Sequence, residues 1–157
     1  QKITSKDQTY FAATQKYKTV GATDEVKEGP NYVQVTDNRG TEAGWSLKVK
    51  QEGQFKSTSG KELTGAAITF KNGNVVTASD SGKPTGPATI TLNSDGSQSD
   101  VMSAAKGNGA GTYLFDWGTD ATTAAKSIEL TVPGSTTKYA EKYATKLTWT
   151  LTDAPGN

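Results

Sequence analysis

Two stretches of the chain carry the same alternation of apolar and polar positions. In residues 32–51, YVQVTDNRGTEAGWSLKVKQ, Trp45, Leu47 and Val49 alternate with Ser46, Lys48 and Lys50; in residues 145–152, TKLTWTLT, Trp149 and Leu151 alternate with Thr148, Thr150 and Thr152. Successive side chains of an extended segment point to opposite faces, so each stretch predicts a half-buried strand with Trp and Leu inward. The period recurs at Val33 and Val35, at Ala66, Ile68 and Phe70, at Ala88, Ile90 and Leu92, at Tyr113, Phe115 and Trp117, and at Ile128, Leu130 and Val132. The last strand reads longest, with Tyr143, Thr145, Leu147, Trp149 and Leu151 on one side. Ile3, Tyr10, Phe11, Tyr17 and Val20 predict one or two short strands at the start.

Turn residues punctuate these segments. Asp37-Asn38-Arg39-Gly40 turns the chain between the Val33/Val35 strand and the Trp45 strand, which are expected to pair as neighbours. Asn72-Gly73 between two strand-like runs predicts a hairpin joining residues 66–70 to residues 75–78, because a type I′ turn needs positive φ at both central positions. Residues 101–105 show no clear period, residues 106–111 (KGNGAG) read as a flexible connection, and residues 120–125 as a loop or one helical turn. The sum is about eight to ten short strands and no amphipathic helix. That pattern predicts an all-β, single-domain antiparallel β-sandwich, Greek-key-like and spanning residues 1–157, with a closed barrel as the alternative. Trp45 and Trp149 are expected to anchor its core, each costing about 3–5 kcal/mol on replacement by Ala.

Composition narrows the function classes. Val, Ile, Leu and Phe together make only 24 of 157 residues, a level that raises disorder as a possibility. The strand-periodic placement of those residues and a net charge of +1 argue against it. Seventeen basic against sixteen acidic residues leave no basic field, so no nucleic-acid partner is expected, and no apolar run is long enough for membrane insertion. The absence of Cys excludes disulfides and thiol chemistry. The absence of His excludes a Ser-His-Asp triad and the commonest metal ligand. A Cys-free, Thr-rich chain suits export, and Gln1 is expected to follow a cleavage or trimming point.

The candidate chemistry is sparse. Asp37, Asn38 and Arg39 place a carboxylate, an amide and a guanidinium at a strand end, where a recognition loop and a plain turn are both open readings. Exposed indoles of Trp45 and Trp149 could stack on sugar rings, although the strand period favours the core. Residues 93–99 carry oxygen ligands at alternate positions, but Gly is not sixth and Ala104 stands where a calcium loop needs Glu. Gly107-x-Gly109-x-Gly111 lacks the third spacing of a nucleotide fingerprint. No metal or cofactor is expected. Asp24, Glu25, Glu42, Asp116 and Asp153 could supply a glycosidase pair, yet nothing in the sequence sets two of them across a cleft, so an enzyme is not expected. Asp116, opposite the aromatic face, is expected to bond a neighbouring loop.

Residues 35–51 (VTDNRGTEAGWSLKVKQ) and 144–155 (ATKLTWTLTDAP) together resemble the WxL domain family, a cell-surface module of low-GC Gram-positive bacteria with two Trp-x-Leu motifs. The segments 113–118 and 128–133 are similar to corresponding family stretches, so the resemblance covers nearly the whole chain. It implies a secreted protein on the cell-wall surface, attached non-covalently through peptidoglycan or an associated glycopolymer and working with co-expressed surface proteins. The lack of a Leu-Pro-x-Thr-Gly sortase signal agrees with that. Trp45, Leu47, Trp149 and Leu151 match the signature positions. A module that docks on a partner surface protein is the alternative function. Recognition is expected beside the motif, in residues 37–44 or at another sheet end.

Overall fold

The computed structural model describes residues 5–17 and 26–155. Ile3, Val20, Asp24 and Glu25 lie outside them. In chain order the strands are β1 (Gln8–Phe11), β2 (Gln15–Tyr17), β3 (Lys27–Gly29), β4 (Asn31–Asp37), β5 (Trp45–Gln51), β6 (Lys56–Ser57) and β7 (Ala67–Phe70). They continue as β8 (Gly73–Val76), β9 (Ile90–Thr91), β10 (Gln98–Ala104), β11 (Gly111–Trp117), β12 (Ile128–Val132), β13 (Tyr143–Ala144) and β14 (Leu147–Thr152). A single helical turn, α1 (Ala121–Ala124), precedes β12; Asp120 caps it and Thr123 closes a capping box. Nine of these strands have four residues or more, the number the alternation announces, and the rest are short pairings of two or three.

Among the described residues all strand pairs are antiparallel, and the sheets do not close into a barrel. Three sheets carry the core, ordered β10-β5-β14, β4-β11-β8 and β1-β12-β7-β9. The first packs on the second through Trp45 against Tyr113 (ring centroids 6.2 Å) and Trp149 against Trp117 (6.0 Å). The third contributes Ile68, Phe70 and Ile90 to the same core. A chain poor in aliphatics thus fills its interior with rings: Trp45, Phe70, Tyr113, Phe115 and Trp117 are all buried.

The pairing differs from expectation in two places. β4 and β5 are not neighbours: β4 pairs with β11, and β5 lies between β10 and β14, so residues 38–44 cross from one sheet to another. The Asn-Gly hairpin does not form either, since β7 pairs with β12 and β9 while β8 pairs with β11. Asn72 has positive φ (56°) but Gly73 does not, so the type I′ turn is absent. Gly73 serves close packing instead. A Cβ there would sit 2.5 Å from the Phe115 ring and 3.0 Å from the Pro87 carbonyl. The unassigned residues 101–105 belong to β10, where a bulge between Asp100 and Met102 turns Val101 and Met102 both inward and erases the alternation.

The two Trp-x-Leu motifs lie on adjacent strands. Leu47 faces Leu151 and Val49 faces Trp149, so the indoles flank the Leu–Leu pair diagonally on one face. That common face has two environments. Trp45 on the central strand is 2% exposed, and its Nε1–H donates to the Gly109 carbonyl at 3.0 Å. The carbonyl can come so close only because residue 109 is glycine: its φ is +81°, and a Cβ would lie 2.6 Å from the indole nitrogen. Trp149 on the edge strand is 39% exposed and Leu151 55%. The expectation that Trp149 is a second core anchor is therefore corrected. It reaches Phe70 and Trp117 with one side (centroids 6.5 and 6.0 Å) and water with the other. The long final strand is also split, into β13 and β14.

Trp45→Ala opens a buried cavity and leaves the Gly109 carbonyl unpaired, so it should cost about 3–5 kcal/mol in urea unfolding. Trp149→Ala removes only partly buried area and should cost about 1–2 kcal/mol. Equal losses would contradict the assignment of one indole to the centre and the other to the edge.

Candidate functional site: the cleft between β4 and β14

β4 ends its sheet and β14 ends its own, and the sequence brings both free edges to one opening. A cleft of about 530 Å³ lies between them, lined by Val35 and Thr36 of β4, the turn Asp37-Asn38-Arg39, Trp45, Leu151 of the second motif, and Thr152 and Asp153 after it. Its floor is apolar, from Val35, the Trp45 edge and Leu151. Its rim is polar, from Asn38, Asp153 and the strand edges at Thr36 and Thr152.

The turn is braced from within. Arg39 donates from Nε to Asp37 Oδ1 and from Nη2 to Asp37 Oδ2, both at 2.9 Å, and again from Nη2 to the Gly44 carbonyl at 2.8 Å. The Arg39 backbone N–H donates to the same Asp37 Oδ1 at 3.1 Å. The fork closes residues 37–44 into one unit. Hydrogen bonds from the Arg39 side chain, then from its backbone, hold the Asp37 carboxyl down at about 2. Arg39 is in turn held more firmly protonated, by that same bond with Asp37 and by weaker attraction to Asp37 and Asp153. Asp37 is buried and Arg39 half-spent on internal bonds, so the pair positions the rim. Asn38, exposed at the tip, is the group it presents.

Of the residues picked out in the sequence, Asp37, Asn38, Arg39, Trp45 and Leu151 meet at this cleft. Leu47 lies buried beneath it, and Trp149 lies outside its lining, further along β14. Asp153, considered in the sequence only as a member of an acid pair, also lines the cleft, whereas Val35, Thr36 and Thr152 were not singled out as site residues, because only the sheet order that brings β4 beside β14 gathers them. Asp116 is elsewhere: its backbone carbonyl accepts from Asn74 Nδ2 at 3.1 Å, while its Oδ1 is buried without a partner and burial raises its carboxyl pKa. Of residues 93–99, the first five turn the chain into β10, with the Ser97 N–H donating to Asp95 Oδ1 at 2.9 Å. Among the described residues no cluster of three or more acidic, His or Cys side chains could hold a metal ion, and no helix is long and apolar enough to cross a membrane.

A family model described as "WxL domain surface cell wall-binding" matches residues 1–155. The chain belongs to the WxL domain family. It is therefore a surface, cell-wall-binding domain, and the two Trp-x-Leu motifs that name the family are the ones on β5 and β14. No curated protein and no solved structure matches the chain. In this WxL domain, then, the motif that names the family occupies a centre and an edge of one sheet, and the cleft opens beside the edge copy.

The Asp37–Arg39 pair sets an acid dependence. Since the folded Asp37 pKa lies below its ordinary value, the pair stabilises fully above the ordinary carboxylate range and loses that contribution as pH falls toward about 2. Asp37→Asn should melt at a lower temperature than the unmodified chain at neutral pH, with the gap closing between about pH 4 and 2. Melting curves across that range check it; a gap independent of pH would show that the ion pair is not the source.

Proposed function

We propose that this WxL domain holds its protein non-covalently on a Gram-positive cell wall, as a secreted chain, by binding a segment of peptidoglycan or an associated glycopolymer in the β4–β14 cleft. The observation that carries this is the convergence of Leu151 of the edge Trp-x-Leu motif, the Trp45 edge and the braced 37–39 turn on one opening. A sugar ring has apolar C–H faces and a hydroxyl edge. The half-exposed Leu151, with the Trp45 edge and Val35, offers apolar surface to the first; the Asn38 amide, the Asp153 carboxylate and the strand edges at Thr36 and Thr152 offer partners to the second. Because the Arg39 fork fixes the rim before any ligand arrives, little ordering entropy is lost on binding. The role is binding without chemistry.

One observation supports a second reading. β4 and β14 are both sheet ends, and unpaired strand edges can take up a strand from a partner, so a co-expressed surface protein could dock there by sheet extension. The two readings part on protein-free material. Purified sacculi stripped of protein should retain the chain at moderate salt, and Asn38→Ala and Leu151→Ser should each lower retention several-fold at unchanged melting temperature. No retention on sacculi, together with co-purification of an envelope protein from cells lacking wall glycan, would replace the first reading with the second.

A further inference from the structure

A second cleft, of about 510 Å³, shares no residue with the first. It lies over a separate small apolar cluster built on Leu63, Ala66 and Val132, against which Tyr10, Leu130 and Tyr143 pack. Tyr10 comes from β1, which pairs with β12 and places Tyr10 opposite Leu130. The segment 133–143 runs over this face and brings Tyr139, Glu141 and Tyr143 to the opening. Volumes of about 300–1,000 Å³ are usual for small-ligand sites.

The overhanging segment is fastened along its length, at three points by parts of the chain far apart in sequence and at a fourth by a bond within itself. The Gly134 N–H donates to Asp7 Oδ1 at 2.6 Å, and Thr136 Oγ1 donates to the Thr64 carbonyl. The Tyr139 N–H donates to the Tyr143 hydroxyl at 2.8 Å, and Ser59 Oγ donates to Glu141 Oε2 at 2.8 Å. The rim is therefore formed before any ligand arrives.

Tyr139 is the element that points to a ligand. The residue is 41% exposed although its backbone N–H and carbonyl are both hydrogen-bonded. Lys61 Nζ stands 3.7 Å from the ring centroid on one face. Lys61 borders the neighbouring hollow with Thr64 and Thr136 but not this cleft, whereas Tyr139 borders both, so the ring is a partition and its other face looks into the cleft. A flat aromatic wall thus stands above an apolar floor of Leu63, Leu130 and Val132, with a polar rim at Glu141 and Lys142. A wholly apolar occupant would strip water from the rim and from the tyrosine hydroxyls with nothing in exchange. A pyranose has apolar faces for the wall and hydroxyls for the rim, and an acetamido substituent adds a methyl for the floor and an amide for Glu141.

We propose that this cleft is a second glycan subsite, which takes an N-acetylated pyranose of a polysaccharide with its ring stacked on Tyr139. The proposal rests on the wall-glycan reading above for the class of polymer, and on this cleft alone for the place. Two subsites sharing no residue let one domain hold one polymer, or two, at separate points, and linked engagement of that kind raises retention well beyond either contact alone.

Titration of the ¹⁵N-labelled 157-residue chain with the β-1,4-linked N-acetylglucosamine tetramer tests it by NMR. Amide shifts at Tyr10 and in residues 138–143 are expected. Tyr139→Ala should weaken binding at these amides about tenfold, as loss of one aromatic contact does, while Tyr139→Phe, which keeps the ring, should leave it unchanged. Shifts confined to the β4–β14 cleft, no shifts at all, or a Tyr139→Ala chain that binds like the unmodified one would overturn the proposal. Failure of the attachment reading looks different: the tetramer still binds at Tyr139, but sacculi do not retain the chain.

Discussion

The structure depends on where the Trp45 indole goes. An indole removed from water leaves one N–H that needs an acceptor, and the Gly109 carbonyl supplies it from a segment 64 residues away. That bond ties β5 to the chain entering β11, and the Trp45–Tyr113 contact beside it faces the two sheets toward each other. Glycine at 109 is a condition of the arrangement, not a softening of it. With so few aliphatic side chains, the rest of the core forms as an aromatic chain from Phe115 through Trp117 to Phe70, and it ends at the surface in Trp149.

That ending has functional weight. The sheet holding both motifs has β5 at its centre and β14 at its edge, so the same tripeptide is core on one strand and surface on the next. The edge copy is left beside β4, also an edge, and the turn after β4 is stiffened by an ion pair directed at itself. The domain thereby presents an apolar strip and a fixed polar rim together. A flexible loop could offer the same groups only at the cost of ordering them at each encounter.

Alternation revealed faces well. Val35, Trp45, Leu47, Val49, Tyr113, Phe115 and Trp117 are inward as their period requires, and the family is legible in the two motifs. Alternation does not reveal a strand's place across a sheet, and for that reason Trp149 and Leu151 read like Trp45 and Leu47. Pairing partners were equally hidden: the Asn-Gly signal is local, whereas the Phe115 ring packing on Gly73 is set by a strand some forty residues on. The β10 bulge concealed a whole strand by turning two consecutive residues inward. In the candidate site, the 37–39 turn was readable, but the meeting of β4 with β14 and the cleft under Tyr139 arise only from long-range sheet order.

The central claim is that the edge Trp-x-Leu meets the wall while the central one holds the fold. Fluorine NMR of the 5-fluorotryptophan-labelled chain, with and without solubilised protein-free wall fragments, resolves the three indoles separately. The account predicts that the Trp149 resonance alone is sensitive to solvent, and that bound fragments shift Trp45, whose edge floors the β4–β14 cleft, more than Trp117, which lies outside its lining. Fragment binding that leaves Trp45 unchanged would contradict it.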